Sequence, residues 1–427
     1  MEEINNQEEY ELIRERIKTR PINRKKLIRR TVITAAMAVI FGVLACITFL
    51  VLEPVFSNML TPEEEPVANE VKIPIEEEEI LPEDMILEDE EETRTQIIYQ
   101  EKERTTTVLE DYNALYDEIY NLSKNCQKSV VKVAGVSQDV DWFNVAYESK
   151  EVTTGLIIAN NGIELLILTD GSVIKNSENI DVTFFNELVT NAVVKETDKN
   201  TGLAIIAVPV DQLTATLLDP DIIAKLGNSK TNRLLAAPVI AVGRPVSNVT
   251  SIEQGMITSK SNIINLIDNN YEMFTTDMRG YDASNGVIFN MSGEVLGIIW
   301  QKNAALDKNT LNAIGISDLK RTIERMSNGK KRAYLGIRGT DVTLDAINLG
   351  VPVGAYVLEI DMESAAMKAG IQSGDVITKI DGFEITSYTV FTEAIGLHDP
   401  GDEVTVTVKR LSGEEYKEMD ITVVLGE

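Results

Sequence analysis

The 427-residue chain contains one histidine, His398, and two cysteines, Cys46 and Cys126. One imidazole cannot build a two-histidine metal site, and two cysteines cannot build a cysteine-rich zinc module or a disulfide scaffold, so no metal or cofactor is expected. Any Ser-His-Asp arrangement would have to pass its proton through His398. That residue stands in the run LHDPGD, ahead of the alternating DEVTVTV, where it reads as a solvated turn residue. With 40 Lys or Arg against 68 Asp or Glu, the net charge is −28, which repels phosphate backbones and argues against a nucleic-acid partner.

The elements that must position any chemistry begin with Thr31 to Leu52, 22 positions without a charge, long enough to cross the hydrocarbon core as a helix. Nine basic residues precede this stretch and the first one after it is Lys72. Positive-inside bias therefore places the N-terminus in the cytoplasm and the bulk of the chain outside, at the cell membrane. A cleaved signal, or a lipoprotein signal read around Cys46, is the alternative. From Glu53 to Glu92 there are 16 acidic residues against one lysine, interrupted by Pro54, Pro62, Pro66, Pro74 and Pro82. Self-repulsion and proline together predict an extended spacer, with a docking tail for a basic partner or a cation trap as the functional alternative.

Beyond the spacer, apolar residues at helical spacing over about 105–126 predict a lead-in helix. The period then changes to short β-rich runs at 129–136, 155–168, 180–186, 191–198, 202–210, 238–243 and 286–300. Turn signals stand at Asn160-Asn161-Gly162 and Met291-Ser292-Gly293. Such spacing points to an all-β barrel or sandwich. A helix over Ser317 to Met326 closes this part. The last 95 residues alternate strands and two helices, with Gly354, Gly370, Gly374 and Gly382 at element boundaries.

Several of these runs carry a specific likeness. YLGI, PVGAYV, AGIQSGDVITKIDG and PGDEVTVTV in the last unit, with TTGLIIANNG, VIAVGRP, SIEQGMITS and TTDMRGYDASNGVIFNMSGEVLGI before it, resemble the HtrA (DegP-like) family over roughly residues 126–427. The resemblance implies a mainly β chain: a chymotrypsin-like double β-barrel protease domain followed by an α+β PDZ domain. Here these follow one transmembrane helix and an acidic disordered linker. The expected divisions are a basic cytoplasmic segment (1–30), the membrane helix (31–52), the linker (53–104), the protease-fold domain with its lead-in helix (105–330) and the PDZ domain (331–427).

Carried over residue by residue, the family triad falls on Ser172 for the histidine, Gly202 for the aspartate and Ser284 for the nucleophile, with Asp282 where an oxyanion-hole glycine would stand. A serine hydroxyl is a weak nucleophile without a neighbouring base, and a carboxylate beside the oxyanion hole opposes the developing charge. The resemblance therefore implies a catalytically degenerate member, a pseudoprotease. A serine endopeptidase rearranged around Ser284, for instance with Lys260 as its base, is the alternative.

The PDZ positions Tyr334, Leu335, Gly336 and Ile337 match the family's carboxylate-binding loop, with Leu335 and Ile337 as expected pocket walls; the plainer reading is a core strand. The expected partners are C-terminal peptides or unfolded segments of envelope or secreted proteins, the membrane through residues 31–52, and a homo- or hetero-trimer with HtrA-like proteins. The expected work is that of a scaffold or regulator.

Overall fold

The computed structural model describes residue 29 and residues 32–48, 68–75, 108–140, 146–175, 177–245, 250–302 and 307–427. They belong to two compact units, Met1–Val67 and Ala68–Glu427. In the first, residues 32–48 form helix α1, whose large apolar side chains are exposed. Among the described residues no helix is long and apolar enough to cross a membrane. The rest of the expected 31–52 span, and all of 1–30 but residue 29, lie outside the described residues.

In the second unit, α2 (Val108–Lys128) leads into a closed barrel. Its strands are β1 (Val130–Val140), β2 (Ala146–Asn160), β3 (Glu164–Asp170), β4 (Asn179–Thr183), β5 (Val189–Thr197) and β6 (Leu203–Pro209), and the one-turn helix α3 (Gly171–Ile174) follows β3. The strand order is β1-β2-β3-β6-β5-β4. The runs in β3 and β6 are continuously apolar because both faces are covered. Ile167 and Ile206 fill the barrel, while Leu166, Leu168 and Ile205 join the core shared with the next barrel.

That second barrel is built from β8 (Pro238–Arg244), β9 (Ser251–Leu266), β10 (Asn269–Arg279), β11 (Asn285–Asn290), β12 (Glu294–Ile299) and β13 (Thr310–Gly315). Pairing of β11 with β12 closes it, and the short β7 (Lys225–Leu226) adds parallel to β12. Here too the faces divide by alternation, Ile288 and Leu296 inside, Val287 and Val295 toward the shared core. Helix α4 (Ile316–Ser327) seals that core with Ile316, Leu319, Ile323 and Met326.

The sheet of the expected PDZ domain follows in the order β14 (Ile337–Asp341), β15 (Ala355–Ile360), β16 (Val376–Ile380), β18 (Glu403–Ser412) and β19 (Glu415–Val424), with β17 (Phe383–Glu384) on β16. Three helices complete it: α5 (Leu344–Asn348), α6 (Ala365–Ala369) and α7 (Tyr388–Gly396). Serine caps start the last two, Ser364 accepting from the Met367 N–H and Ser387 from the Val390 N–H, and Gly370 ends α6 at φ 91°.

Three expectations need correction. The spacer is not featureless: residues 68–75 lie along α4. The Val71 N–H reaches Asn328 Oδ1 at 2.9 Å and the Ile73 N–H reaches Glu324 Oε2 at 2.8 Å, while both apolar side chains pack on the shared core. The stretch ANEVKIPI carries one acid between apolar residues, and averaging its charge with the flanking glutamates hid that pattern. The remainder of 53–104 lies outside the described residues. Second, the apolar stripe of α2 is buried only toward its C-terminal end, by Ile119, Leu122 and Cys126, whereas Leu109, Tyr112, Leu115 and Tyr116 are exposed. Third, β9, β10 and β13 were not among the expected strands, because polar residues interrupt their alternation.

Candidate functional site

The end of β3 and the start of β6 bring together Ser172 and Gly202, the first two positions expected for a triad. Asp170 caps α3, its Oδ1 accepting from the Ser172 N–H at 2.9 Å and from the Ser172 hydroxyl at 2.7 Å. The same oxygen lies 3.1 Å from Lys302 Nζ. Gly202 accepts from the Gly171 N–H at 2.8 Å and has φ +73°; a Cβ added there would stand 3.0 Å from Lys302 Nζ. An ammonium group thus borders the space where the resemblance calls for a carboxylate.

Ser284 is held by the turn before β11. Its side chain is buried, the hydroxyl oxygen accepts from the Tyr281 N–H at 2.9 Å, and its proton is donated to the Pro245 carbonyl. Its own N–H donates to the Tyr281 carbonyl at 2.9 Å, a turn bond that takes it away from any oxyanion. The next residue, Asn285, ties the two barrels: its Oδ1 accepts from the Thr154 N–H at 3.0 Å and from the Thr154 hydroxyl at 2.7 Å. Asp282, expected to set a like charge beside an oxyanion hole, has an exposed carboxylate that pairs with Lys308 at 2.9 Å. Lys260 lines a cleft of about 2020 Å³ together with Ser172 and Gly202, and Ser284 is not among the residues lining it. His398 stays in the PDZ turn, 3.8 Å from both the Asp381 and the Asp402 carboxylates.

The loop before β14 presents a different chemistry. Gly336 has φ +90°, and a Cβ there would lie 2.2 Å from Ser364 Cβ, so only glycine fits the path. The Leu335 carbonyl accepts from the Ala366 N–H at 2.8 Å and the Gly336 carbonyl from the Asp361 N–H at 2.9 Å. With both carbonyls turned away, three successive amides face the same point. There they meet the carboxylate of Asp268, from the turn between β9 and β10. Leu335 N–H donates to Oδ2 at 2.8 Å, Gly336 N–H to Oδ2 at 2.8 Å and Oδ1 at 3.0 Å, and Ile337 N–H to Oδ1 at 2.9 Å. The Asp268 N–H donates to the Ile337 carbonyl at 2.7 Å, and its own carbonyl accepts from Arg332 Nη2 at 2.5 Å. Burial pushes the Asp268 carboxyl up, against the opposing charge of Arg332 and the three amides.

The loop therefore contributes three of the four expected residues. Tyr334 pairs through its backbone with Gly426, and its hydroxyl bonds Asp361. Leu335 and Ile337 are fully buried members of the PDZ core cluster, so neither side chain stands open as a pocket wall. The loop acts through its main chain alone.

Comparison with known proteins agrees with this architecture. The trypsin-like peptidase domain model matches residues 153–298 and the PDZ domain model residues 333–423. A probable periplasmic serine endoprotease, DegP-like, from Hahella chejuensis is 28% identical over 293 residues, 66% of this chain and 58% of that protein. The serine protease Do-like HtrA of Lactobacillus helveticus is 27% identical over 303 residues, 66% of this chain and 70% of its own. The fold matches an HtrA-type protease AlgW solved with a decapeptide, at a TM-score of 0.53 and 18% identity, covering 72% of this chain and 98% of that one. The two domain matches, in this order, together with these relatives support an HtrA-like chain.

Within this HtrA-like frame, sequence reasoning missed Asp268, Lys302 and Pro245. Asp268 had a local signal, since Asp268-Asn269-Asn270 is a turn-forming run between NIINLI and YEMF. Nothing local names its partner, 67 to 69 positions away. Lys302 and the carbonyl of Pro245 had no signal, because their roles come from where the barrels meet.

Proposed function

We propose that this HtrA-like chain is a membrane-anchored pseudoprotease that works by binding. Its PDZ domain takes C-terminal or unfolded segments of envelope or secreted proteins, and the chain serves as a scaffold or regulator of active relatives. The observation that carries the reading is the convergence of three backbone N–H groups, at 335–337, on a carboxylate. That is the acceptor a peptide's C-terminus offers. Catalytic silence is supported by the Ser284 hydroxyl, which is committed to Tyr281 and Pro245, and by a serine, Ser172, where the base is needed. Anchoring by residues 31–52 with the N-terminus in the cytoplasm rests on the apolar run and the basic residues before it. Assembly as a homo- or hetero-trimer with HtrA-like proteins rests on the family.

The alternative, an endopeptidase using Ser284, rests on relatives named as serine proteases. One experiment separates the two. The purified chain is incubated with unfolded casein and with a fluorophosphonate probe, and separately with peptides bearing a free or an amidated C-terminus. Carboxylate-dependent binding without cleavage or labelling is expected. Stoichiometric labelling of Ser284, with cleavage lost in Ser284→Ala, would overturn catalytic silence; equal affinity for free and amidated peptides would overturn the peptide reading.

A further inference from the structure

The turn between β9 and β10 does more than touch the PDZ domain. A peptide's last residue offers one backbone N–H and one carboxylate, and Asp268 offers both: its N–H donates to the Ile337 carbonyl and its carboxylate takes the amides of Leu335, Gly336 and Ile337. Neighbouring residues seat the turn on the same edge. The Asn270 side-chain amide donates to the Gly339 carbonyl at 3.2 Å, Arg338 Nη1 to the Asn265 carbonyl at 3.3 Å, and the Thr392 hydroxyl on α7 to the Asp268 carbonyl at 3.4 Å. Asp268 is 1% exposed, so the cradle is closed to any second carboxylate. Three convergent amides need acceptors and bond most strongly to an anionic one, and in this state the chain supplies its own.

We propose that Asp268 is an internal ligand of the PDZ loop, so that a peptide C-terminus binds only by displacing the β9–β10 turn. The inference rests on the peptide-binding reading above and adds its regulation. Affinity for a peptide is reduced by the fraction of molecules in which the turn has left.

The test compares the full-length wild-type chain with Asp268→Asn and Asp268→Gly. Asn keeps the shape but replaces one acceptor oxygen with a donor that faces the amides. Gly empties the cradle and suits the turn, because residue 268 has φ +55°. The probe is a fluorescein-labelled decapeptide mixture, random except for a C-terminal valine, made with a free carboxylate and as the amide. Both variants are expected to bind the free-carboxylate probe ~10-fold or more tightly than wild type, with no gain for the amide. Equal, carboxylate-dependent affinity in all three chains, or weaker binding by the variants, would leave the peptide site standing and overturn the internal ligand. Absence of carboxylate-dependent binding in all three would overturn the peptide reading and this inference with it. Wild type supplies a check that needs no variant. Saturating free-carboxylate probe should speed hydrogen exchange at the Asp268 amide, and unchanged protection there with the probe bound would overturn the proposal.

Discussion

At the junction of the barrels the atoms that could react belong to side chains; in the loop at 335–337 they belong to the main chain. The difference decides how each site can be read. A triad position has its chemistry only if the residue has the right group, and on the proposed reading a serine at 172 with a glycine at 202 supplies neither imidazole nor carboxylate. The loop's donors exist in any non-proline sequence. What makes them a site is the path forced by Gly336 and the carbonyls locked to Ala366 and Asp361. Identity governs the first region and conformation the second.

The largest effect expected from probing this contrast is that of Gly336→Ala, which places a Cβ against Ser364 at a positive φ. It should cost about 2–4 kcal/mol of stability in urea unfolding. A loss under about 1 kcal/mol would mean that the path is not forced and that the contrast is weaker than drawn.

Ser284→Ala comes next. The hydroxyl bridges Tyr281 and Pro245, so its removal should cost about 1–2 kcal/mol while casein hydrolysis stays at background. Unchanged stability with lost hydrolysis would make it a nucleophile after all.

Restoring side-chain identity alone, with Ser172→His and Gly202→Asp together, should leave hydrolysis within about threefold of wild type, because Ser284 keeps its partners. A larger rise would show that the cleft lacks only its triad groups.

Cys126 tests whether the frame under the cleft is closed. Burial pushes its thiol up to about 11, so at pH 8 the thiolate is scarce and iodoacetamide should spare Cys126 until denaturant is added. As pH rises toward 11 labelling should increase, and ready labelling at pH 8 would mean that α2 opens.

The smallest effect belongs to His398→Ala, a turn substitution expected to change stability by no more than about 0.5 kcal/mol and hydrolysis not at all.

Much of the fold was legible because alternation and turn residues are local. The doubly covered strands β3 and β6 and the Gly293 turn (φ +77°) stood out as runs and punctuation. Residues 68–75 did not, since eight weakly apolar positions inside a polyacidic stretch gain their order from α4, some 250 residues away. The β9–β10 hairpin was blurred by polar residues such as Gln254 and Asp277, which its exposed face tolerates.

The amino-acid sequence by itself determined that serine stands at 172 and glycine at 202 and 336, and that a trypsin-like domain precedes a PDZ domain, because these depend on residue identity and local spacing. Only the tertiary structure decided that the Ser284 hydroxyl is committed to the Pro245 carbonyl and that the three amides are filled from within. Those pairings join residues 39 and 67 to 69 positions apart. A hydrogen bond at that separation follows from how the elements pack, which no local pattern encodes.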